Sequence, residues 1–156
     1  MIGAMLPFQI IAAGTGFLIA VLWFDLMFDV QVMKDVGETE VSDERLGSIA
    51  AYYHRVTTTA SPMSRLVALV MLTVVIALIV QAVQEDVDVW VTIVSLAAAA
   101  TGFGLAGLRV FGRARRLGWR KDTPEMQSMI ARSILRDHLV CLAAMVTLLA
   151  VQLIGS

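Results

Sequence analysis

Residues 17–34 read FLIAVLWFDLMFDVQVMK, an apolar run that contains two carboxylates, Asp25 and Asp29. The two acids are four residues apart, just over one helical turn, so they project from the same face of a helix. The surrounding residues are typical of a membrane-spanning helix, in which a carboxylate is energetically costly and needs a partner or a function. A structural or functional reason is therefore expected for this pair.

The composition is that of a membrane protein. Of the 156 residues, 58% are hydrophobic and 16% are charged, and the mean hydropathy is +0.80. A transmembrane helix needs about 20 apolar residues, so this length accommodates about four helices with short connections. We therefore predict a single domain, residues 1–156, with an all-α fold: an integral membrane bundle of four transmembrane helices. The single cysteine, Cys141, excludes an intrachain disulfide.

Capping residues and polar connections divide the chain into spans. The predicted spans cover about residues 6–33, 62–84, 89–111 and 135–155. The fourth helix is expected to start near Pro124 and run unbroken to Ile154, with its first turns in water. Ser42, followed by two acids, predicts the start of an amphipathic cytoplasmic helix before the second span. Its apolar face is predicted to contain Leu46, Ile49, Tyr53 and Val56.

Small residues mark predicted helix contacts. Ala12, Gly16 and Ala20 are spaced to let another helix approach, as are Ala98, Gly102 and Ala106. Gly102, Gly104 and Gly107 also match a GxGxxG pattern, but a dinucleotide fingerprint needs a preceding strand and an aqueous helix N-terminus. We interpret these glycines as packing residues.

The basic residues predict the orientation. All twelve lie in or beside the first and third connections, which places loops 34–61 and 112–134 in the cytoplasm and both termini on the opposite side. The hydropathy pattern alone resembles that of small four-helix bacterial membrane proteins, which implies the bacterial inner (plasma) membrane. The twelve are Lys34, Arg45, Arg55, Arg65, Arg109, Arg113, Arg115, Arg116, Arg120, Lys121, Arg132 and Arg136.

Several charged residues are predicted at a depth similar to that of the two aspartates. Two interpretations stay open: a structural layer of interhelical ion pairs, or an ion or proton pathway. The candidates are Asp25, Asp29, Arg65, Arg109, Arg136, Asp137 and His138.

The two histidines, His54 and His138, are weak candidates for haem or divalent-metal ligands. No fixed-spacing motif accompanies them, so we predict no cofactor and no metal. Ser133, Asp137 and His138 do not suggest a hydrolase triad, because neighbouring helical residues splay apart. No catalytic residue is predicted. Trp23, Trp90 and Trp119, with Tyr52 and Tyr53, are interpreted as interfacial anchors.

The segment from Arg113 to Lys121 predicts contact with anionic lipid headgroups rather than nucleic acid, because it is short and adjoins a membrane span. Its basic residues are Arg113, Arg115, Arg116, Arg120 and Lys121.

Two functional classes follow from the sequence. The chain is either a transport or conduction protein that uses Asp25 and Asp29, or a non-catalytic accessory or assembly subunit of a larger membrane complex. A haem or metal protein is a third class. The many small-residue contacts predict a homo-oligomer or a subunit of a complex.

Overall fold

The computed structural model describes residues 2–84 and 87–155, which form helices and the turns between them. Within these residues a 3-10 segment, Val30–Asp35, extends α1, and a π turn, Ala106–Val110, joins α4 to α5. The α-helices are α1 (Ile2–Asp29), α2 (Asp43–Thr57), α3 (Ser61–Gln84), α4 (Val89–Leu105), α5 (Phe111–Trp119) and α6 (Pro124–Ile154).

Four helical stretches in the described part of the chain are long and apolar enough to cross a membrane. This confirms an all-helical fold with four candidate spans. The stretches are Leu6–Asp35, Pro62–Gln84, Val89–Trp119 and Pro124–Ile154.

The helix that contains the third predicted span extends beyond residue 111. We expected it to end at residue 111 and to be followed by a loop over 112–134, but the chain stays helical through the π turn to Trp119. The basic segment forms an amphipathic helix because Ala114 and Leu117 pack into the core while Arg115 and Arg116 are exposed. Only residues 120–123 connect α5 to α6.

The first and fourth helices start close to the predicted residues. α1 begins at Ile2 and carries Pro7 inside its first turns, rather than starting at that proline. α6 runs unbroken from Pro124 to Ile154, as predicted. Its N-cap is Thr123, whose side chain accepts a hydrogen bond from the backbone N–H of Met126 at 3.4 Å.

The amphipathic helix α2 forms where the sequence predicts it and buries Leu46, Ile49 and Tyr53. Ser42 is its N-cap residue, but the hydroxyl makes no capping hydrogen bond. The backbone N–H of Ser42 instead donates a hydrogen bond to the Asp35 carboxylate at 3.0 Å. The same carboxylate also pairs with the Arg45 guanidinium, so Asp35 fixes the start of α2 against the end of the first span.

Three glycines lie where neighbouring helices approach closely. A methyl group at Gly14 would lie 2.5 Å from Val74 of α3, and one at Gly102 would lie 2.6 Å from Met145 of α6. One at Gly118 would lie 2.7 Å from the backbone nitrogen of His54, where α5 crosses α2. The predicted packing at Gly102 is therefore present, whereas α1 uses Gly14 and leaves Gly16 with open space beside it.

Two apolar cores stabilise the fold. The first joins α2, α5 and the start of α6 at the end of the bundle that carries the connections 36–42 and 120–123, which we call the loop end. The second fills the bundle interior between α1, α3, α4 and α6. The carboxylates of residues 25 and 29 lie on α1 beside the first core, because Leu26 belongs to that core.

Candidate functional site

Asp25 and Asp29 lie on the face of α1 that meets α2 and α6. Asp29 is 1% exposed, and its carboxylate accepts a hydrogen bond from the Tyr53 hydroxyl at 2.6 Å. Asp25 accepts one from the Tyr52 hydroxyl at 2.5 Å. The spacing of just over one turn therefore brings both acids to adjacent tyrosines of a single neighbouring helix.

Tyr52 and Tyr53 are held in place by packing as well as by these hydrogen bonds. The Tyr52 ring stacks on Phe28 of α1 at 4.1 Å between ring centroids. Burial, followed by the charge of the neighbouring aspartates, raises the pKa of both tyrosines above the ordinary value. Both hydroxyls therefore stay protonated and act as hydrogen-bond donors.

His138 of α6 lies between the two acids. Its Nδ1 is 2.6 Å from a carboxylate oxygen of Asp29, and its Nε2 is 3.9 Å from one of Asp25. The first distance is a hydrogen bond, while the second is beyond hydrogen-bond range. We call Asp25, Asp29, Tyr52, Tyr53 and His138 the carboxylate–histidine cluster.

Asp137, the residue before His138, belongs to a separate network. Its carboxylate is 2.8 Å from Nη1 of Arg113, 3.4 Å from Nε of Arg109 and 3.9 Å from Nε of Arg136. Arg113 also donates to the Ser133 hydroxyl. Ser133, Asp137 and His138 thus do not converge, since the first two share an arginine while the histidine faces α1.

The residues of the predicted ion-pair layer have different partners in the structure from those considered in the sequence. Arg109 and Arg136 pair with Asp137, not with Asp25 or Asp29. Arg65 is exposed and forms no ion pair with any residue in 2–84 or 87–155. Within the part of the chain that the structure describes, neither Asp25 nor Asp29 contacts an arginine or lysine. The cluster is thus balanced by one titratable imidazole rather than by a permanent cation.

The remaining histidine lies elsewhere. The His54 ring meets the Trp119 ring edge-on at 5.1 Å, at the crossing of α2 and α5. Among the residues that the structure describes, no group of three or more His, Cys, Asp or Glu side chains is arranged to hold a metal ion. His54 and His138 are therefore not brought together as ligands of one ion.

Polar side chains also meet inside the bundle, far from the loop end. Gln81 and Gln152 exchange two amide hydrogen bonds, at 3.1 and 3.0 Å, and Gln152 also donates to Ser95 at 2.9 Å. This group joins α3, α4 and α6. The signal in the sequence was a glutamine within each of two apolar spans, which we did not interpret.

Sequence reasoning placed the tyrosines at the membrane surface as anchors, and it missed their role as donors to the acids. Tyr53 was on the predicted buried face of α2, so its burial was foreseen while its partner was not. The available signal was two buried acids without a nearby cation in their own helix.

Comparisons with known proteins add no assignment: no family model, no curated protein and no solved structure matches this chain.

Proposed function

We propose that this chain is a small membrane transport protein in which the carboxylate–histidine cluster takes up and releases protons. The observation that carries the proposal is the position of the His138 ring between two carboxylates, with no arginine or lysine at either acid in the described residues. A proton gained or lost here changes the charge of the site by one unit, and no fixed cation compensates for the change.

The hydrogen-bonded chain of the cluster is interrupted at one point, between His138 and Asp25, which suits controlled proton transfer. Tyr53, Asp29 and His138 are linked by hydrogen bonds, as are Tyr52 and Asp25. The 3.9 Å separation between His138 and Asp25 must shorten by about 1 Å before a proton passes directly between them. A small shift of α1 against α6 therefore connects or disconnects the two halves.

Asp25 is the member that exchanges protons with the surroundings. Its side chain is 18% exposed, compared with 1% for Asp29 and 5% for His138. In this scheme Asp25 loads the site, His138 carries the proton, and Asp29 holds the imidazole in place through Nδ1.

The test is proton flux into proteoliposomes that contain a trapped pH-sensitive dye. Asp25→Asn should reduce the flux to that of protein-free liposomes, because the amide cannot carry a proton under these conditions. His138→Gln should have the same effect. The matched control is Glu40→Gln, which removes an exposed acid from the loop before α2 and should leave the flux unchanged. An Asp25→Asn protein that conducts like the parent would contradict the proposal.

A second candidate function is that of an accessory or assembly subunit. It is favoured by the fact that the cluster's hydrogen bonds tie α1, α2 and α6 together, which is a structural role in itself. Native mass spectrometry of the protein extracted from its own membrane separates the two. Unrelated subunits that co-purify, with no flux in the purified parent, would replace the transport proposal with this one.

A further inference from the structure

A cleft of about 460 Å³ lies at the end of α5, lined by Arg115, Arg116, Trp119, Lys121 and Asp122. Trp119 ends the helical stretch Val89–Trp119, which contains an apolar part long enough to cross a membrane. The cleft therefore lies where a candidate span ends. A tryptophan at such a position is typical of the lipid headgroup region.

The basic residues of this region are not equivalent. Arg113 pairs with the buried carboxylate of Asp137, and Arg120 pairs with Asp43 at the surface. Arg116 forms two hydrogen bonds to Asp122, at 2.8 and 2.7 Å, which also lower the pKa of that carboxyl. The internal ion pairs thus use three of the five cations.

The other two cations remain available. Neither Arg115 nor Lys121 forms an ion pair with a residue in the described ranges, and both are exposed. The Lys121 ammonium lies 5.5 Å from the centre of the Trp119 ring, which holds it at the cleft. Because Asp122 is neutralised by Arg116, the lining carries a surplus of two positive charges.

Two exposed aromatic side chains flank Arg115 on one face of α5. Phe111, Arg115 and Trp119 are spaced four residues apart on α5, so they share one face of the helix. The rings of Phe111 and Trp119 are about half exposed. An amphiphile with an anionic head at Arg115 has an apolar surface for its chains on the same face.

We propose that this cleft binds the phosphodiester headgroup of an anionic phospholipid, with Arg115 and Lys121 as the phosphate ligands. The phosphate charge is balanced by the two unpaired cations, and the acyl chains lie along Phe111. The predicted lipid contact of the whole basic segment is thereby restricted to two of its five residues. This inference is independent of the proton site, because none of its residues belongs to the carboxylate–histidine cluster.

The test uses Trp119 as the reporter. Trp23→Phe and Trp90→Phe together leave it as the sole tryptophan of the chain. The protein is placed in mixed phosphatidylglycerol and phosphatidylcholine vesicles in which one lipid at a time is brominated. Brominated phosphatidylglycerol should quench Trp119 more strongly than brominated phosphatidylcholine at the same mole fraction.

The variant Arg115→Gln with Lys121→Gln should abolish this preference, with about a fivefold loss of relative affinity for each charge removed. The control variant Lys34→Gln with Arg55→Gln removes two exposed cations elsewhere and should retain it. Equal quenching by both lipids in the protein whose sole tryptophan is Trp119, or loss of the preference in both charge variants, would overturn the site. Loss of the preference on adding inorganic phosphate, but not chloride of equal ionic strength, would assign the cleft to a soluble phosphate instead.

Discussion

Tyr52 and Tyr53 are the two tyrosines of the chain, and each donates its hydroxyl to one acid of α1. A phenol buried beside a carboxylate resists ionisation, because the phenolate would lose hydration and face a like charge. Any signal from tyrosine ionisation in this protein therefore reports on the cluster.

We predict that both tyrosines titrate well above their usual pKa of about 10 in the folded protein. Because the pKa of each tyrosine is higher in the folded than in the unfolded protein, the protonated hydroxyls contribute their full stabilisation of the fold below a pH of about 10. That contribution is lost as the pH rises beyond this value. Ultraviolet absorbance of tyrosinate, recorded for the protein in detergent and after denaturation, checks this. Titration curves that coincide in the two states would contradict the arrangement.

Thr15 provides a second prediction at this scale. Its side chain is fully buried, and its hydroxyl has no hydrogen-bond partner among the described residues. Thr15→Val keeps the shape and removes the unpaired hydroxyl, so we expect stabilisation of about 1–3 kcal/mol. Thr73→Val is the control, because that hydroxyl is bonded to the Leu69 carbonyl and exposed. Thermal unfolding in detergent measures both. An unchanged midpoint for Thr15→Val would show that the hydroxyl is satisfied.

The sequence identified individual site residues where a charged side chain lies in an apolar segment. Asp25 and Asp29 are conspicuous because an apolar helix has no other reason to carry acids, and His138 was expected at their depth. The tyrosines were not predictable as partners of the acids, because a tyrosine on an amphipathic helix is equally compatible with a position at the membrane interface. Which of several arginines meets Asp137 depends on helix rotation, which the spacing of charges does not specify.

At the scale of elements, α2 and α5 form a unit that covers the loop end of the bundle. They cross where Gly118 meets the backbone of His54, and Leu46, Ile49 and Leu117 are buried in the same core. α2 also carries both tyrosine donors. α5 therefore packs against the helix that presents these hydroxyls to α1.

We predict that Gly118→Ala separates α5 from α2. The added methyl group would lie 2.7 Å from a backbone nitrogen, which cannot rotate away, so a loss of about 1–3 kcal/mol is expected. Gly112→Ala in the same helix has open space and should be neutral or stabilising by up to about 1 kcal/mol. Denaturation of both variants in mixed detergent gives the comparison. Equal midpoints would contradict the close crossing.

The elements were easier to predict than their ends. The start of α6 follows from Thr123 and Pro124, which favour a helix N-terminus regardless of the tertiary fold. The continuation of the helix to Trp119 was not predicted, because a dense run of arginines indicates where a membrane span ends but not where the helix ends. Only the packing of Ala114 and Leu117 against α2 shows that the helix continues.

The whole molecule has an asymmetric distribution of charge. The described basic residues lie at the loop end, while the opposite end contains the Gln81, Gln152 and Ser95 group. From four candidate spans and the positive-inside rule we predict that both termini lie on the same side of the membrane and that the loop end faces the cytoplasm.

Reporter fusions test this topology. Alkaline phosphatase fused after residue 156 should be active, and a phosphatase inserted after Gly37 should be inactive, because the enzyme folds only outside the cytoplasm. Green fluorescent protein at the same two positions should give the opposite pattern. Activity of the phosphatase at Gly37 would reverse the predicted orientation. The number of candidate spans was predictable from length and composition, whereas the interior polar contacts depend on helix packing.

The π turn Ala106–Val110 sets the rotational phase of the chain's third long helix. An α-helix advances by about 100° per residue, so one surplus residue in a turn rotates everything beyond it by that angle. In this phase Arg113 reaches Asp137 and Gly118 faces α2. Removal of one residue from the turn would leave α4 seated on α6 and would turn both contacts away together. A single inserted residue thus couples the ion pairs of α6 to the placement of the helix that carries the tyrosines.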